Sequence, residues 1–399
     1  MPPLMTRTAS PASRAAMLKP TAINTILAEV REVRSAGKAV TSLMRGEPDF
    51  PTPSHICSAA TQSLASGRTT YPDNRGEPGL RDAIAVKLRR DNGLTYDPAT
   101  EILVTTGATL GIHTALMALV SEGDGVLIPD PVYDAYQSPI LLAGGVIQPV
   151  RASIVQDRFV LTREALEAAA TPSSRVLILN TPWNPAGTVL RAAELREISE
   201  FALRRNITVV SDEIYEAVVY EDHRHVSPAS LSDEMHSSTV LVNSLSKTYA
   251  MTGWRVGYCA ASASVISSML LVLQQSSRGP ATFVQDAAAV ALMGSQEAVK
   301  AMQHEYAARR ARVLAAMDGL PRVRALPPEG GFFVMVDVRS TGIPSNDIRR
   351  RLLNDHGVAV VHGSAYGPGG EGTLRVSFAS GGNVLSEGLD KLREGLARL

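Results

Sequence analysis

Ser244, Ser246, Lys247 and Arg255 stand close together in one short stretch, fed by the apolar, β-branched run Thr239–Val242. Such a run reads as a buried strand. A lysine at the mouth of a buried strand is costly unless it is paired or used chemically. The two hydroxyls and the guanidinium are suited to holding a phosphate. An amine beside a phosphate cradle is what pyridoxal phosphate needs, because the lysine forms a Schiff base with the cofactor aldehyde. A surface loop with a solvated Lys and Arg reads the same in isolation, so the motif has meaning only in its context.

Other residues supply that context. Thr106-Gly107-Ala108-Thr109 joins the strand Glu101–Thr105 to a helix Leu110–Val120, which places backbone N–H groups and a helix N-terminus at one point, an anion site. Tyr133 follows the strand Val126–Pro129 and could stack on a flat ring. Asn184 lies before Pro185 in a loop after the strand Arg175–Leu179, and the proline biases it toward an extended backbone. Asp212 and Tyr215 follow the strand Ile207–Ser211, where a helix-capping Asp with a surface Tyr is the plain alternative. Near the N-terminus, Gly46 offers a backbone that a ligand can approach closely.

These positions imply the scaffold. Strands alternating with helices from about residue 100 to 260 predict a doubly wound α/β domain with a mostly parallel sheet. Ligands in such sheets lie at the carboxyl ends of the strands, where Gly107, Tyr133, Asn184, Asp212 and Lys247 all fall. Helical patterns at Val265–Ser276, Gln296–Met317 and Ser345–Asp355, and a last one from Val384, surround strands near Arg322–Ala325, Phe332–Val336, Val358–Val361 and Thr373–Phe378. They predict a smaller α+β domain. The expected division is a flexible arm at 1–20, an N-terminal segment at 21–55 that joins the smaller domain, a large cofactor-binding domain at 56–295 and the small C-terminal domain at 296–399.

Composition narrows the partners. Lys+Arg and Asp+Glu balance at 39 each, so no global field draws nucleic acid or an anionic membrane. No apolar run approaches membrane-spanning length. Two cysteines, Cys57 and Cys259, exclude a disulfide framework and fit a reducing, cytoplasmic setting. The pair His223 and His225 reads as a polar loop, and no metal is expected.

Taken together, the motifs Gly46-Glu47-Pro48-Asp49-Phe50, Asn184-Pro185-Ala186-Gly187, Asp212-Glu213-Ile214-Tyr215, Ser246-Lys247 and Arg255-Val256-Gly257 resemble those of the class I/II aminotransferases, pyridoxal-phosphate enzymes of fold type I. The resemblance runs from about Ile23 to the C-terminus. It implies that Lys247 forms the internal aldimine and shuttles the substrate proton, with pyridoxamine phosphate as the amino carrier. Asp212 would pair with the pyridine nitrogen, Tyr215 and Asn184 with the phenolic oxygen, and Tyr133 with the ring face. Gly107, Ala108, Thr109, Ser244, Ser246 and Arg255 would hold the phosphate. Tyr71 from a neighbouring subunit would join them in a homodimer with shared sites. Arg375 would clamp the substrate α-carboxylate, helped by the backbone at Gly46.

Some positions depart from the family pattern. Thr109 stands where bacterial aspartate aminotransferases of this branch often carry lysine, and Trp183 precedes Asn184. Arg278 lies in a segment that reaches the partner's site, where it could bind an acidic substrate side chain or pair with an interface acid. His362 replaces the usual proline before Gly363. The implied activity is transfer of an amino group from an L-amino acid to a 2-oxo acid, of aspartate, aromatic or broad specificity. A β- or γ-lyase or an oxidative deaminase on the same scaffold is the alternative, and a non-catalytic regulator is a third. Such regulators usually add an N-terminal DNA-binding domain, for which the residues before the first helix are too few.

Overall fold

The computed structural model describes residues 10–399. The expected N-terminal arm falls partly outside them; within them, Ser13–Ala16 forms one helical turn with exposed side chains.

A seven-stranded sheet forms the centre. Its spatial order is Ile102–Thr105, Gly257–Ala260, Thr239–Ser244, Thr208–Asp212, Ser174–Asn180, Gly125–Asp130 and Val146–Arg151. Gly257–Ala260 runs antiparallel to both neighbours, and the remaining pairs are parallel. Helices cover both faces, which is why the inner strands are continuous apolar runs. Val240, Leu241 and Val242 are almost wholly excluded from water, each contributing roughly 1.5–3 kcal/mol by burial. The strands ending at Thr105, Asp130, Asn180, Asp212 and Ser244 finish along one edge of the sheet.

Elements of this layer not foreseen from sequence include the strands Val146–Arg151 and Gly257–Ala260 and the helix Thr282–Met293. The antiparallel strand is short and half of it is Gly and Ala. Its glycine is required by packing, since a Cβ at Gly257 would lie 2.8 Å from both Ala108 N and Asn243 O. The missed helix buries mainly small residues, Ala287, Ala288 and Ala291, against the helices Ser54–Ala65 and Pro78–Asn92, so its apolar stripe is faint.

A second, antiparallel sheet has the order Arg324–Leu326, Phe333–Asp337, Thr373–Ser377 and Val361–His362. The helices Glu297–Met317, Ser345–His356 and Gly382–Ala397 flank it. The N-terminal segment joins this part of the chain. Thr41–Ser42 pairs in parallel with Val358–Ala359, and Ile26, Val30 and Met44 pack with Leu353, Val361 and Tyr366.

Candidate active site

A cleft of about 560 Å³ opens where the carboxyl edge of the seven-stranded sheet meets the second sheet. Lys247 reaches it from the single-turn helix Leu245–Thr248, which Ser244 caps by accepting from Ser246 N at 3.0 Å. The Lys247 ammonium donates to Gly46 O at 2.7 Å. Burial pushes it down to about 8; Glu47 pulls the other way, and Arg255 adds to the lowering.

Asp212 ends its strand with a buried carboxylate. Tyr136 donates to Oδ2 at 2.6 Å and Ile214 N to Oδ1 at 3.2 Å. Burial raises the carboxyl to about 6 despite the Tyr136 hydrogen bond. Asn180 fixes the backbone around it, donating to Asp212 O at 2.9 Å and accepting from Asn184 N at 2.7 Å. Tyr136 and Asn180 are not singled out by sequence reasoning. The available signal for Tyr136 is its place three residues after Tyr133, just past a strand end.

Arg375 comes from the second sheet, on Thr373–Ser377. Its guanidinium donates to Asn184 Oδ1 at 3.2 Å and Met44 O at 3.3 Å, and it lies 4.2 Å from the Phe333 ring centroid. Its Nε is buried without a partner, an unspent donor in a planar fork suited to a carboxylate. Tyr215 lines the same cleft, edge-on to Phe332 and Phe333 at 5.4 and 5.9 Å, and Tyr133 lies edge-on to Tyr136 at 5.5 Å.

Arg255 sits in the left-handed region at φ +54°, an uncommon backbone for a non-glycine residue. That backbone turns its guanidinium toward Gly107, itself at φ +81°, where a Cβ would lie 2.6 Å from Arg255 Nη2. Only glycine leaves this space open. Arg255, Ala108, Thr109 and Ser246 all face the cleft. Ser244 does not: its hydroxyl is 2.7 Å from Ser246 Oγ and 3.0 Å from Val256 O, and it borders a second cavity behind the turn. Tyr71 and Arg278 also lie outside the cleft of their own chain. Tyr71 is 84% exposed, with the Arg278 guanidinium 5.4 Å from its ring centroid.

The donor set tests well against pyridoxal 5′-phosphate. An amine with lowered basicity, a buried carboxylate for a ring nitrogen, and an arginine over a glycine-opened helix N-terminus are the groups that this cofactor requires. Comparison with known proteins agrees. The sequence profile described as aminotransferase class I and II matches residues 38–392. The chain is 40% identical over 368 residues to an aspartate aminotransferase of Pyrococcus abyssi, covering 91% of this chain and 93% of the relative. It is 39% identical to aromatic-amino-acid aminotransferase 2 of Thermococcus litoralis, covering 90% and 92%. The solved aspartate aminotransferase from Rhizobium meliloti superposes with a TM-score of 0.93 at 35% identity, over 98% of this chain and all of the other. Fold, cleft and relatives converge: this chain belongs to the class I and II aminotransferases and is a pyridoxal-phosphate-dependent transaminase.

Proposed function

We propose that the protein moves amino groups between acidic or aromatic L-amino acids and 2-oxo acids, with Lys247 as its proton-transferring base. The observation that carries the role of Lys247 is its position: a cleft amine lowered to about 8, sharing that cleft with Asp212 and the incompletely bonded Arg375. The substrate range is supported by the names of the aspartate and aromatic relatives. Bound pyridoxal 5′-phosphate supplies the carbonyl that receives the amino group and a ring that accepts the electron pair left at Cα.

The chain's own groups do the rest. Arg375 binds the α-carboxylate through its fork, oriented by Asn184. Lys247 Nζ takes the proton from Cα. Asp212 would keep the cofactor's pyridine nitrogen protonated, and Tyr136 holds that carboxylate in place. With the cofactor bound, Tyr215 and Asn184 would donate toward its phenolic oxygen, Tyr133 would cover its ring, and Gly107, Ala108, Thr109, Ser246 and Arg255 would hold its phosphate. Ser244 acts through its cap on the lysine turn. The Ile23 and Leu27 side chains line the same cleft and give the substrate side chain an apolar wall.

The reading includes a homodimer. Tyr71 and Arg278 come from separate loops yet meet on one exposed patch, and each would complete the partner's site, Arg278 facing an acidic side chain. It also includes a large domain at 56–295, a smaller one formed by 21–55 with 296–399, and a cytoplasmic setting, supported by two free cysteines. No described helix is long and apolar enough to cross a membrane.

The test is the half-reaction. Amino acid alone should convert the visible absorbance of the loaded protein to that of the amine form, with aspartate, glutamate and phenylalanine as donors. Lys247→Ala should show neither that conversion nor a borohydride-sensitive absorbance. A lysine variant that keeps both would remove Lys247 from this role. For the shared site, inactive Lys247→Ala and an inactive Tyr71 variant should regain activity when their subunits exchange. Confirmed exchange with no recovery would leave each site within one chain.

A further inference from the structure

Behind the lysine turn lies a second cavity of about 400 Å³, within the size range of small-molecule sites. Its lining includes Ser244, Leu245 and Thr248 of that turn, together with Leu292 and Val299. None of its groups has a part in transamination as derived above beyond the Ser244 cap.

The charges along its wall cancel in pairs. Lys87 is bonded to Glu216, and Asn92 and Asn243 donate to the same carboxylate at 2.9 and 2.7 Å. Arg90 is held by Asp91 at 2.7 and 3.0 Å. One cation is left over. Arg224, exposed at the rim, makes no ion pair or hydrogen bond among the described residues. Two hydroxyls on the wall, those of Thr248 and Tyr258, likewise have no hydrogen-bond partner among the described residues, though Tyr258 is almost wholly buried. The unspent guanidinium favours an anion at the rim, and the two hydroxyls, which can donate as well as accept, can bond to its oxygens. Leu292, Val299 and the Tyr249 ring leave much of the remaining wall apolar, which inorganic ions cannot use.

We propose that this cavity is a second binding site, for a small carboxylate with an apolar body: the carboxylate on Arg224 and the body between Leu292 and Val299. Because Leu245 and Thr248 belong to the turn that carries Lys247, an occupant bears directly on the back of that turn.

Calorimetric titration of the cofactor-loaded protein with 3-phenylpropionate tests this, beside 3-phenylpropylamine and inorganic phosphate. The carboxylate also suits the catalytic cleft, so the titration is repeated on Arg375→Ala. The expected result is a binding event that survives Arg375→Ala, weakens by about tenfold or more in Arg224→Ala and is partly restored in Arg224→Lys. Arg224 is exposed, so an unchanged melting temperature should accompany its replacement. A crystal structure of the wild-type complex should show the ligand between Leu292 and Val299. Equal binding of the amine or of phosphate, indifference to Arg224→Ala, or a ligand found only in the cleft would overturn the proposal.

Discussion

Two lysine–carboxylate neighbourhoods lie back to back across the turn at Ser244–Thr248, and they are built to opposite rules. At the rear, Glu216 accepts from Lys87, Asn92 and Asn243 together. Burial pushes its carboxyl up, but Lys87 and the other donors more than offset this and hold it below the usual range. In front, Lys247 donates only to a backbone carbonyl and Asp212 leans on one tyrosine and one amide. Burial therefore wins there: the amine falls to about 8 and the carboxyl rises to about 6. A buried charge with its own partners is structural, whereas one left short of partners is available to a cofactor or substrate.

The largest effect that would sharpen this contrast comes from the rear. Lys87→Met should leave Glu216 charged and unpaired in the interior, lowering stability by about 3–5 kcal/mol, while the spectrum of the bound cofactor stays normal. Urea unfolding beside a cofactor spectrum checks it. A variant as stable as the parent would mean that the rear cluster is not a closed ion pair.

Next comes the proton on Lys247. Capture of pyridoxal phosphate needs the neutral amine, so the capture rate of cofactor-free protein should climb with pH and level off above about 8. Stopped-flow absorbance across pH 6–11 reads this directly. A rate still climbing past pH 10 would give Lys247 the basicity of a solvated lysine.

The smallest effect concerns Asp212. Its folded-state carboxyl is raised from 3.8 to about 6, so the folded protein holds a proton that the unfolded chain has already released. That contribution is complete below pH 3.8 and lost as pH rises through about 6. Asp212→Asn should therefore stabilise the cofactor-free protein at pH 7 by roughly 3 kcal/mol, while cutting turnover of the loaded enzyme. Melting curves with and without cofactor separate the two. Destabilisation of the cofactor-free form would mean that the Asp212 charge is well compensated without its ligand.

The front cluster was more legible in the sequence than its supports. Strands such as Ser174–Asn180 and Thr239–Ser244 are buried on both faces, so they appear as unbroken apolar runs whose ends can be found by inspection. Lys247, Asp212 and Asn184 follow those ends. Tyr136 carried only a faint signal because its value depends on a short 3₁₀ turn, Asp134–Tyr136, aiming a hydroxyl at a carboxylate from another strand. Gly257–Ala260 was hidden for a different reason: two of its four residues have little or no side chain, and packing rather than propensity makes it a strand. The helix Thr282–Met293 lost its signal in the same way, through alanines.

The position of Arg375 has a temporal meaning. Lys247, Asp212, Arg255 and Gly107 are held on a sheet that is complete once residue 260 has been made. Arg375 arrives on the other sheet, and its two hydrogen bonds to the described residues reach back to Asn184 and Met44. Met44 in turn follows Thr41–Ser42, whose strand partner is Val358–Ala359, so the first-made part of the cleft waits for nearly the last. Chains are synthesised from the N-terminus, and contacts distant in sequence close late. During synthesis the chain thus has its amine and its carboxylate in hand well before it has the guanidinium that selects what they act on.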